Sequence, residues 1–201
     1  MVCAFLMAGC ATKSAPEPAS NNQPASPSVA PAASAPSAAA EQSASPPAKQ
    51  GGTAIAVTPV DRTAYDAAIA KLRGKVVLVD FWATWCLPCV EQLPHTLEMA
   101  TRLRGRGLAV VTVSCDEPAD SAQVAAFLAA KNAGAATNLI SQFGGSPQTM
   151  EAFEIGSGAV PFYKLYDRTG KLRETFGISP AAKQQFTSAD IEAAVEKLLA
   201  E

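Results

Sequence analysis

The sequence of 201 residues has little excess charge, little histidine and few cysteines, and each shortage excludes a class of protein. Sixteen basic and 18 acidic residues leave a net charge of -2, so nothing indicates the basic surface of a nucleic-acid-binding protein. The single histidine, His95, cannot supply the paired imidazoles of a common structural zinc site. The cysteines are too unevenly spaced for the disulfide framework of a small secreted domain: Cys3, Cys10, Cys86, Cys89 and Cys115.

Residues 11–52 have no aromatic side chain and only one large aliphatic one, Val29. Most of this segment is alanine, proline and serine, which cannot bury enough apolar surface to offset the conformational entropy of the chain. The composition predicts a disordered tether, able to span roughly 40 Å as a flexible coil. Residues 53–201 are then left to form one folded domain with a well-formed core.

Residues 1–10 are apolar and end in small residues before Cys10. The stretch from Leu6 to Cys10 resembles the lipobox of bacterial lipoproteins, in which the cysteine is acylated and becomes the first residue. This resemblance implies a lipid anchor at Cys10 and a domain that faces the periplasm from the cell envelope. Ala11 is not the acidic residue associated with inner-membrane retention in the lipoprotein family, so the same resemblance favours the outer membrane. A cleaved signal without lipid and an unmodified apolar terminus are the alternatives.

Hydrophobic patterning predicts strands and helices in alternation, and hence an α/β protein. Continuous apolar runs predict buried strands over Val76–Phe81 and Leu108–Val113, and Gly170 lies in the turn of a predicted hairpin of Phe162–Asp167 and Lys171–Phe176. The predicted helices are Tyr65–Leu72, Cys86–Arg104 with a break or kink at Pro94, Ser121–Lys131, Met150–Ile155 and Ser188–Leu199. This order of elements predicts a mixed β-sheet flanked by helices on both faces.

Two cysteines, Cys86 and Cys89, directly follow the first buried strand. Covalent haem attachment is excluded because Val90 stands where a histidine would be needed. A structural disulfide across four residues would constrain the unfolded chain very little, and a zinc site would have to recruit His95 and Cys115 at unsuitable spacing. We therefore expect redox exchange with no cofactor and no resident metal. A periplasmic copper-binding module that uses the same pair is the alternative.

The residues around the pair resemble a known family. The run VDFWATWCLPC, from Val79 to Cys89, and the later run Gly158–Pro161 resemble the thioredoxin fold. The lipoprotein-type N-terminus, the WATWC motif and the extra segment before Pro161 resemble the membrane-tethered TlpA/ResA-like thiol–disulfide oxidoreductases. The resemblance covers residues 53–201. It implies an extracytoplasmic enzyme that reduces disulfides in partner proteins such as apocytochrome c and is re-reduced by a membrane thiol donor.

The placement of the two cysteines assigns a different role to each. At the first turn of a helix, backbone N–H groups and the helix dipole stabilise a Cys86 thiolate, the attacking nucleophile. Cys89 lies one turn further on, more buried, and resolves the mixed disulfide formed at Cys86. Trp85 is expected to shield the site and to offer an apolar platform. A peroxiredoxin-like peroxidase would need the pattern P-x-x-x-[ST]-x-x-C, but Thr84 is too close to Cys86 and the proline is absent.

Attack by Cys89 requires a group that removes its proton. TlpA/ResA-like proteins carry a glutamate three positions after the second cysteine, where this sequence has Gln92, and Glu91 lies about 100° around the helix. Asp80 occupies the position of the buried aspartate that accepts the proton in cytosolic-type thioredoxins. We expect burial to raise the pKa of Asp80 and Asp80 to act as the proton acceptor. The alternative is that Asp80 is only a hydrogen-bonded buried group.

The resemblance also assigns a role to Val160 and Pro161. It implies that Pro161 is in the cis form and faces the cysteine pair, and that the backbone of Val160 pairs with an extended segment of the substrate. Cys115 is predicted to be a buried inert thiol, with a third redox cysteine as the alternative. His95 is predicted to lie on the solvent side of its helix.

Overall fold

The computed structural model describes residues 55–179 and 185–201. In these residues six strands form one sheet in the order β1-β4-β3-β2-β5-β6. The four strands β1, β4, β3 and β2 are parallel to one another, whereas β5 and β6 join by antiparallel pairing, so the sheet is mixed, as predicted. The strands are β1 Thr58–Val60, β2 Val76–Trp82, β3 Leu108–Ser114, β4 Thr137–Ser141, β5 Phe162–Tyr166 and β6 Leu172–Gly177.

Helices cover both faces of the sheet. They are α1 Arg62–Ala70, α2 Leu87–Arg102, α3 Ser121–Ala130, α4 Pro147–Ala152 and α5 Ser188–Ala200, with 3-10 turns at Arg104–Arg106, Pro118–Asp120 and Ala133–Ala135. On one face the ring of Tyr65 in α1 lies 5.9 Å from that of Phe81 in β2. On the other face Leu78 of β2 shares a buried core with Met99 of α2 and Val195 of α5. Because successive side chains of a strand point to opposite faces of the sheet, β2 contributes to the core on both faces.

Three predicted helices need correction: α1 and α4 begin earlier than predicted, and α2 lacks the predicted break. Helix α4 begins at Pro147 and not at the predicted Met150, and a proline is well tolerated in the first turn because its missing N–H is not needed there. Helix α1 begins before the predicted Tyr65 because the side chain of Asp61 accepts the backbone N–H of Ala64 at 2.8 Å and caps the helix there. Helix α2 runs without interruption through Pro94, so the predicted break is wrong. Pro94 is exposed, and the buried positions on either side of it, Leu93 and Leu97, hold both halves of the helix on the same core.

Strands β1 and β4 were not predicted. Strand β1 has three residues, contains Pro59 and lies at the edge of the sheet, where a proline is tolerated because its missing N–H is not needed. Strand β4 is buried from Asn138 to Ser141, although asparagine and serine give it no apolar pattern of its own. Pairing with β3 on one side and β1 on the other places β4 inside the sheet.

Strand β2 positions the cysteine pair. Every residue from Val76 to Trp82 is buried, and β2 pairs with β3 and β5 along its length. The chain leaves the carboxyl end of β2 at Ala83 and enters α2 at Leu87. The segment between them lies at the edge of the sheet where the carboxyl ends of parallel strands meet, which is the usual place for a site in an α/β protein.

The predicted signal over residues 1–10, with its lipidation site Cys10, and the predicted tether over 11–52 lie outside the described residues. They stay predictions. None of the helices in residues 55–179 and 185–201 is both long enough and apolar enough to cross a membrane.

Candidate active site

Cys86 and Cys89 are joined by a disulfide bond. Cys86 is the N-cap of α2, and its Sγ atom accepts the backbone N–H of Cys89 at 3.3 Å. The exposed fraction is 6% for Cys86 and 1% for Cys89, so the first sulfur is the more accessible of the two. A sulfur that lies at a helix N-terminus and accepts a backbone N–H is placed where negative charge is stabilised.

The loop before β5 lies against the outer sulfur. The Sγ atom of Cys86 is 3.6 Å from the carbonyl oxygen of Val160, and the Val160–Pro161 peptide bond is cis, the isomer that the resemblance implied. Val160 is nearly buried, with 8% of its surface exposed. The structure thus brings together Cys86, Cys89, Val160 and Pro161, which are distant in the sequence.

Two exposed apolar side chains flank Cys86. Trp85 and Leu87 are 62% and 68% exposed, the highest values among the large apolar residues described. Residues of this kind normally lie inside a protein, and an exposed pair beside a reactive sulfur is a candidate contact surface for another protein. The sequence indicated Trp85 for this role but missed Leu87, which begins α2 and is exposed although it is apolar.

A glycine loop after β4 supports the indole of Trp85. A Cβ atom at Gly145 would lie 3.2 Å from Cζ2 of Trp85 and 3.3 Å from the carbonyl oxygen of Cys115. Hydrogen bonds of Thr149 hold this loop in place. The hydroxyl of Thr149 donates to the carbonyl oxygen of Gly144 at 2.6 Å and lies 2.7 Å from the hydroxyl of Ser141. The absence of a side chain at Gly145 therefore allows the ring to rest on backbone. Sequence analysis did not identify this loop.

A buried carboxylate anchors the segment that precedes Cys86. Asp116 is 4% exposed and accepts the backbone N–H of Thr84 at 3.0 Å, together with the hydroxyls of Thr84 and Ser114. Thr84 lies two residues before Cys86, so Asp116 fixes the start of the reactive loop. The sequence analysis missed this residue; the signal was an acidic side chain just after a buried parallel strand, at the same edge of the sheet as the cysteine pair.

Asp80 is buried in the middle of the sheet on the face covered by α2. It is 1% exposed, and neither of its side-chain oxygens has a hydrogen-bond partner in the described structure. Burial raises the pKa of Asp80 to about 7, and the nearby hydroxyls of Thr96 and Tyr163 only partly oppose this rise. A carboxyl group with this pKa takes up and releases protons near neutral pH.

The profile of the AhpC/TSA family matches residues 51–190. The chain belongs to the AhpC/TSA family. It is 28% identical over 123 residues to a thiol-disulfide oxidoreductase ResA of Bacillus thuringiensis (strain Al Hakam), a match that covers 58% of this chain and 62% of that protein. The chain spans about three fifths of the length of the first curated relatives it matches.

Solved structures show the same fold. A putative thiol:disulfide interchange protein DsbE from Chlorobium tepidum is 26% identical, with a TM-score of 0.50 over 65% of this chain and 84% of that chain. A thioredoxin-like protein in the oxidised form is 24% identical, with a TM-score of 0.51 over 66% of this chain and 83% of that chain. The thioredoxin fold implied by the sequence resemblance is thereby confirmed.

The third cysteine of this AhpC/TSA family domain lies inside the core. Cys115 is buried and unpaired, as predicted. Burial, with the nearby carboxylates of Asp116 and Asp80, raises the pKa of the Cys115 thiol to about 12. A thiol with this pKa is almost entirely protonated at neutral pH and is a poor nucleophile. His95 is exposed on α2, which also agrees with its prediction.

No ligand set for a metal ion is formed by the part of the family domain that the structure describes. Within residues 55–179 and 185–201, no three histidine, cysteine, aspartate or glutamate side chains are grouped so that they could hold an ion.

Substitution of Gly145 by alanine is expected to disturb the Trp85 surface selectively. The added Cβ would press on both the indole and the Cys115 carbonyl, and the exposed ring is the part free to move. We expect reduction of a protein disulfide to slow about fivefold, as for about 1 kcal/mol of lost apolar contact, with reduction of the Cys86–Cys89 bond by dithiothreitol unchanged. Stopped-flow kinetics measures both rates. Gly105→Ala, where nothing lies within 4 Å of the new Cβ, is the matched control, and equal rates for the two variants would contradict the assignment.

Proposed function

We propose that this chain is a thiol–disulfide oxidoreductase that transfers an electron pair between Cys86 and Cys89 and the disulfides of partner proteins. The observation that carries the proposal is the bonded pair at the start of α2, with its outer sulfur beside the Val160 carbonyl and between two exposed apolar side chains. The names of the relatives support it, since both ResA and DsbE are described as proteins of thiol–disulfide exchange.

The reaction follows from the order of the two sulfurs. In the reduced chain the Cys86 thiolate attacks one sulfur of the partner's disulfide. That S–S bond breaks, a mixed disulfide forms, and the other partner sulfur leaves as a thiolate that takes up a proton. Cys89 then loses its proton and attacks Sγ of Cys86, which closes the Cys86–Cys89 bond and releases the second partner thiol. Two electrons have moved, so the partner is reduced and the pair is oxidised.

The partner's chain would lie across the loop before β5. In this proposal Trp85 supplies an apolar platform, and the backbone of Val160, beside Pro161, pairs with an extended segment of the partner. Main-chain pairing of this kind is indifferent to side chains, which suits an enzyme with several protein substrates. Leu87 extends the apolar platform on the other side of Cys86.

Asp80 is the proton acceptor of the second step. Cys89 is almost fully buried, so its proton cannot pass directly to bulk water. Asp80 lies on the face of β2 that α2 covers, and its pKa of about 7 matches the work of taking up a proton at neutral pH. Gln92, at the position where the TlpA/ResA-like group has glutamate, has no ionisable group to take this role.

The direction and location of the reaction complete the proposal. The chain acts as a reductant outside the cytoplasm, held by a lipid at Cys10 in the envelope, with the outer membrane favoured by Ala11. A membrane thiol donor restores the reduced pair, and the substrates are disulfide-bearing proteins such as apocytochrome c. The lipobox-like sequence and the TlpA/ResA-like motif support this part of the proposal.

A redox titration of the full chain tests the function. The chain is equilibrated in dithiothreitol buffers, and the thiols are trapped and counted. We expect a single two-electron transition at or below about -270 mV, the thioredoxin value. A transition far more positive would contradict the reducing direction, and the lack of any reversible transition would contradict thiol–disulfide exchange. Metal analysis of the reduced chain after copper addition tests the binding alternative, which requires stoichiometric retention of the ion.

A further inference from the structure

We propose that Trp85 and Glu117 form a subsite that recognises a basic side chain beside the disulfide of the partner protein. The apolar stem of a lysine or arginine packs on the indole, and its charged end lies beside the carboxylate. This inference rests on the proposed function and deepens it, because it names a chemical class of partner. The sequence motif around the cysteine pair gives Glu117 no role.

One turn of two glycines brings the indole and the carboxylate together. The ring of Trp85 lies against Gly145, and the carboxylate of Glu117 lies against Gly144, where a Cβ atom would be 2.5 Å from Cδ of Glu117. Gly144 has a φ of 59°, a left-handed conformation that glycine adopts readily. Consecutive Cα atoms are about 3.8 Å apart, so the ring and the carboxylate rest on neighbouring residues. A side chain at either glycine would displace one of the two groups.

A single hydrogen bond fixes the backbone of both residues. The buried carboxylate of Asp116 accepts the backbone N–H of Thr84 at 3.0 Å. Thr84 directly precedes Trp85, and Asp116 directly precedes Glu117, so both side chains start from the same buried contact. The backbone of the subsite is therefore in place before a partner arrives. Preorganisation of this kind reduces the entropy that binding costs.

The charge of Glu117 is available to a partner. Glu117 is exposed, and within residues 55–179 and 185–201 it forms no ion pair. The arginines of residues 102–106 lie at and beyond the far end of α2, a helix about 24 Å long. Arg62 lies at the same end of the sheet as the cysteine pair, but it is paired with Asp66 and Glu154. A cation of the partner therefore meets an uncompensated carboxylate.

The two groups of the subsite suit the two parts of one basic side chain. Lysine and arginine lay their methylene stems along apolar surfaces and keep the charged end in water. The face of an indole also attracts a cation that lies within about 6 Å of the ring centre. An acidic side chain would be repelled by Glu117, and a neutral one would gain only the contact with Trp85. The subsite therefore selects partners by the charge beside their disulfide.

The test compares two substrates that differ in charge. Each is the disulfide-linked dimer of a short peptide with one cysteine, flanked on both sides by lysine in one peptide and by glutamine in the other. Stopped-flow kinetics with the reduced full chain gives the ratio of their kcat/KM values. In Glu117→Gln this ratio is expected to fall about fivefold, the effect of one solvent-exposed ion pair. Comparison of parent and variant cancels the different intrinsic reactivities of the two disulfides.

Charge reversal, a matched control and salt test the same ratio. Glu117→Lys is expected to lower it further, because the lysine of the substrate then meets a like charge. Glu174→Gln removes the same charge from an exposed position on β6, four strands away from β4 and the turn that follows it, and is expected to retain the ratio of the parent. In the parent the ratio is expected to fall at an ionic strength of about 1 M, where the Debye length is about 3 Å.

Two results would overturn the proposal: an unchanged ratio in Glu117→Gln, or an equal fall in Glu174→Gln, which would trace the preference to net charge. Binding answers the question without turnover. The same peptides with serine in place of cysteine are titrated into the oxidised full chain, and the indole N–H signal of Trp85 is followed by NMR. A Kd about fivefold lower for the lysine peptide supports the subsite, and equal Kd values overturn it. Failure of the proposed function would appear instead as reduction of neither dimer.

Discussion

Replacement of Cys89 by serine is expected to trap a covalent complex between Cys86 and a disulfide-bearing partner. The serine hydroxyl cannot attack the mixed disulfide at neutral pH, so the reaction stops after its first step. We expect turnover with a protein disulfide to fall about 10³-fold or more, as for the loss of a nucleophile elsewhere. Non-reducing gel electrophoresis and mass spectrometry measure the complex, and a coupled assay measures turnover.

Two further variants separate this mechanism from its alternatives. Cys86→Ser is expected to lose turnover equally but to form no complex, since Cys89 is too buried to reach a partner. Cys115→Ser is expected to retain turnover because that thiol lies in the core and remains protonated. Complex formation through Cys89 in the Cys86→Ser chain would reverse the assigned roles. Full turnover in either single variant of the pair would exclude exchange through Cys86 and Cys89.

Local sequence patterns sufficed for the elements that carry the cysteine pair. Continuous β-branched runs predicted β2 and β3, because a strand buried on both faces needs no alternation to be recognised. The pair itself was recognised by its spacing and by the motif around it. Strand β4 could not be predicted in the same way, because it contains the polar residues Asn138 and Ser141. Both are buried, and their side chains form hydrogen bonds with the hydroxyls of Thr112 and Thr149, which are not adjacent in the sequence.

The supporting residues of the site depend on contacts between distant parts of the chain. Asp116 and Thr84 are 32 positions apart, and Tyr163 and Gln92 are 71 apart, yet each pair forms a hydrogen bond. The sequence around either residue of such a pair contains no pattern that predicts its partner. The support of Trp85 by Gly145 is harder still to predict, because it depends on an absent side chain. Sequence therefore singled out Cys86, Cys89 and Asp80 as candidate site residues, whereas the groups that surround them became apparent only in the three-dimensional structure.

Substitution of Asp80 by asparagine is expected to slow the second chemical step about 10²-fold, which is the usual contribution of a positioned general base. Asparagine has nearly the same shape but cannot take up the proton of Cys89. The first step, attack by Cys86, is expected to keep most of its rate, so the mixed disulfide should accumulate transiently. Rapid quenching with acid, followed by mass spectrometry, measures formation and decay of that species separately.

The rate at which Cys89 resolves the mixed disulfide is also expected to depend on pH. Only the ionised carboxylate accepts a proton, and the pKa of Asp80 is raised to about 7 by burial. The rate of resolution by Cys89 in the parent chain is therefore expected to rise from pH 6 to pH 8 with a midpoint near that pKa, whereas Asp80→Asn lacks this midpoint. Gln92→Ala retains the carboxylate and should slow resolution far less. Equal rates of resolution in Asp80→Asn and Gln92→Ala would show that the proton of Cys89 leaves by another route. The raised pKa of Asp80 would then be a consequence of burial with no role in the reaction.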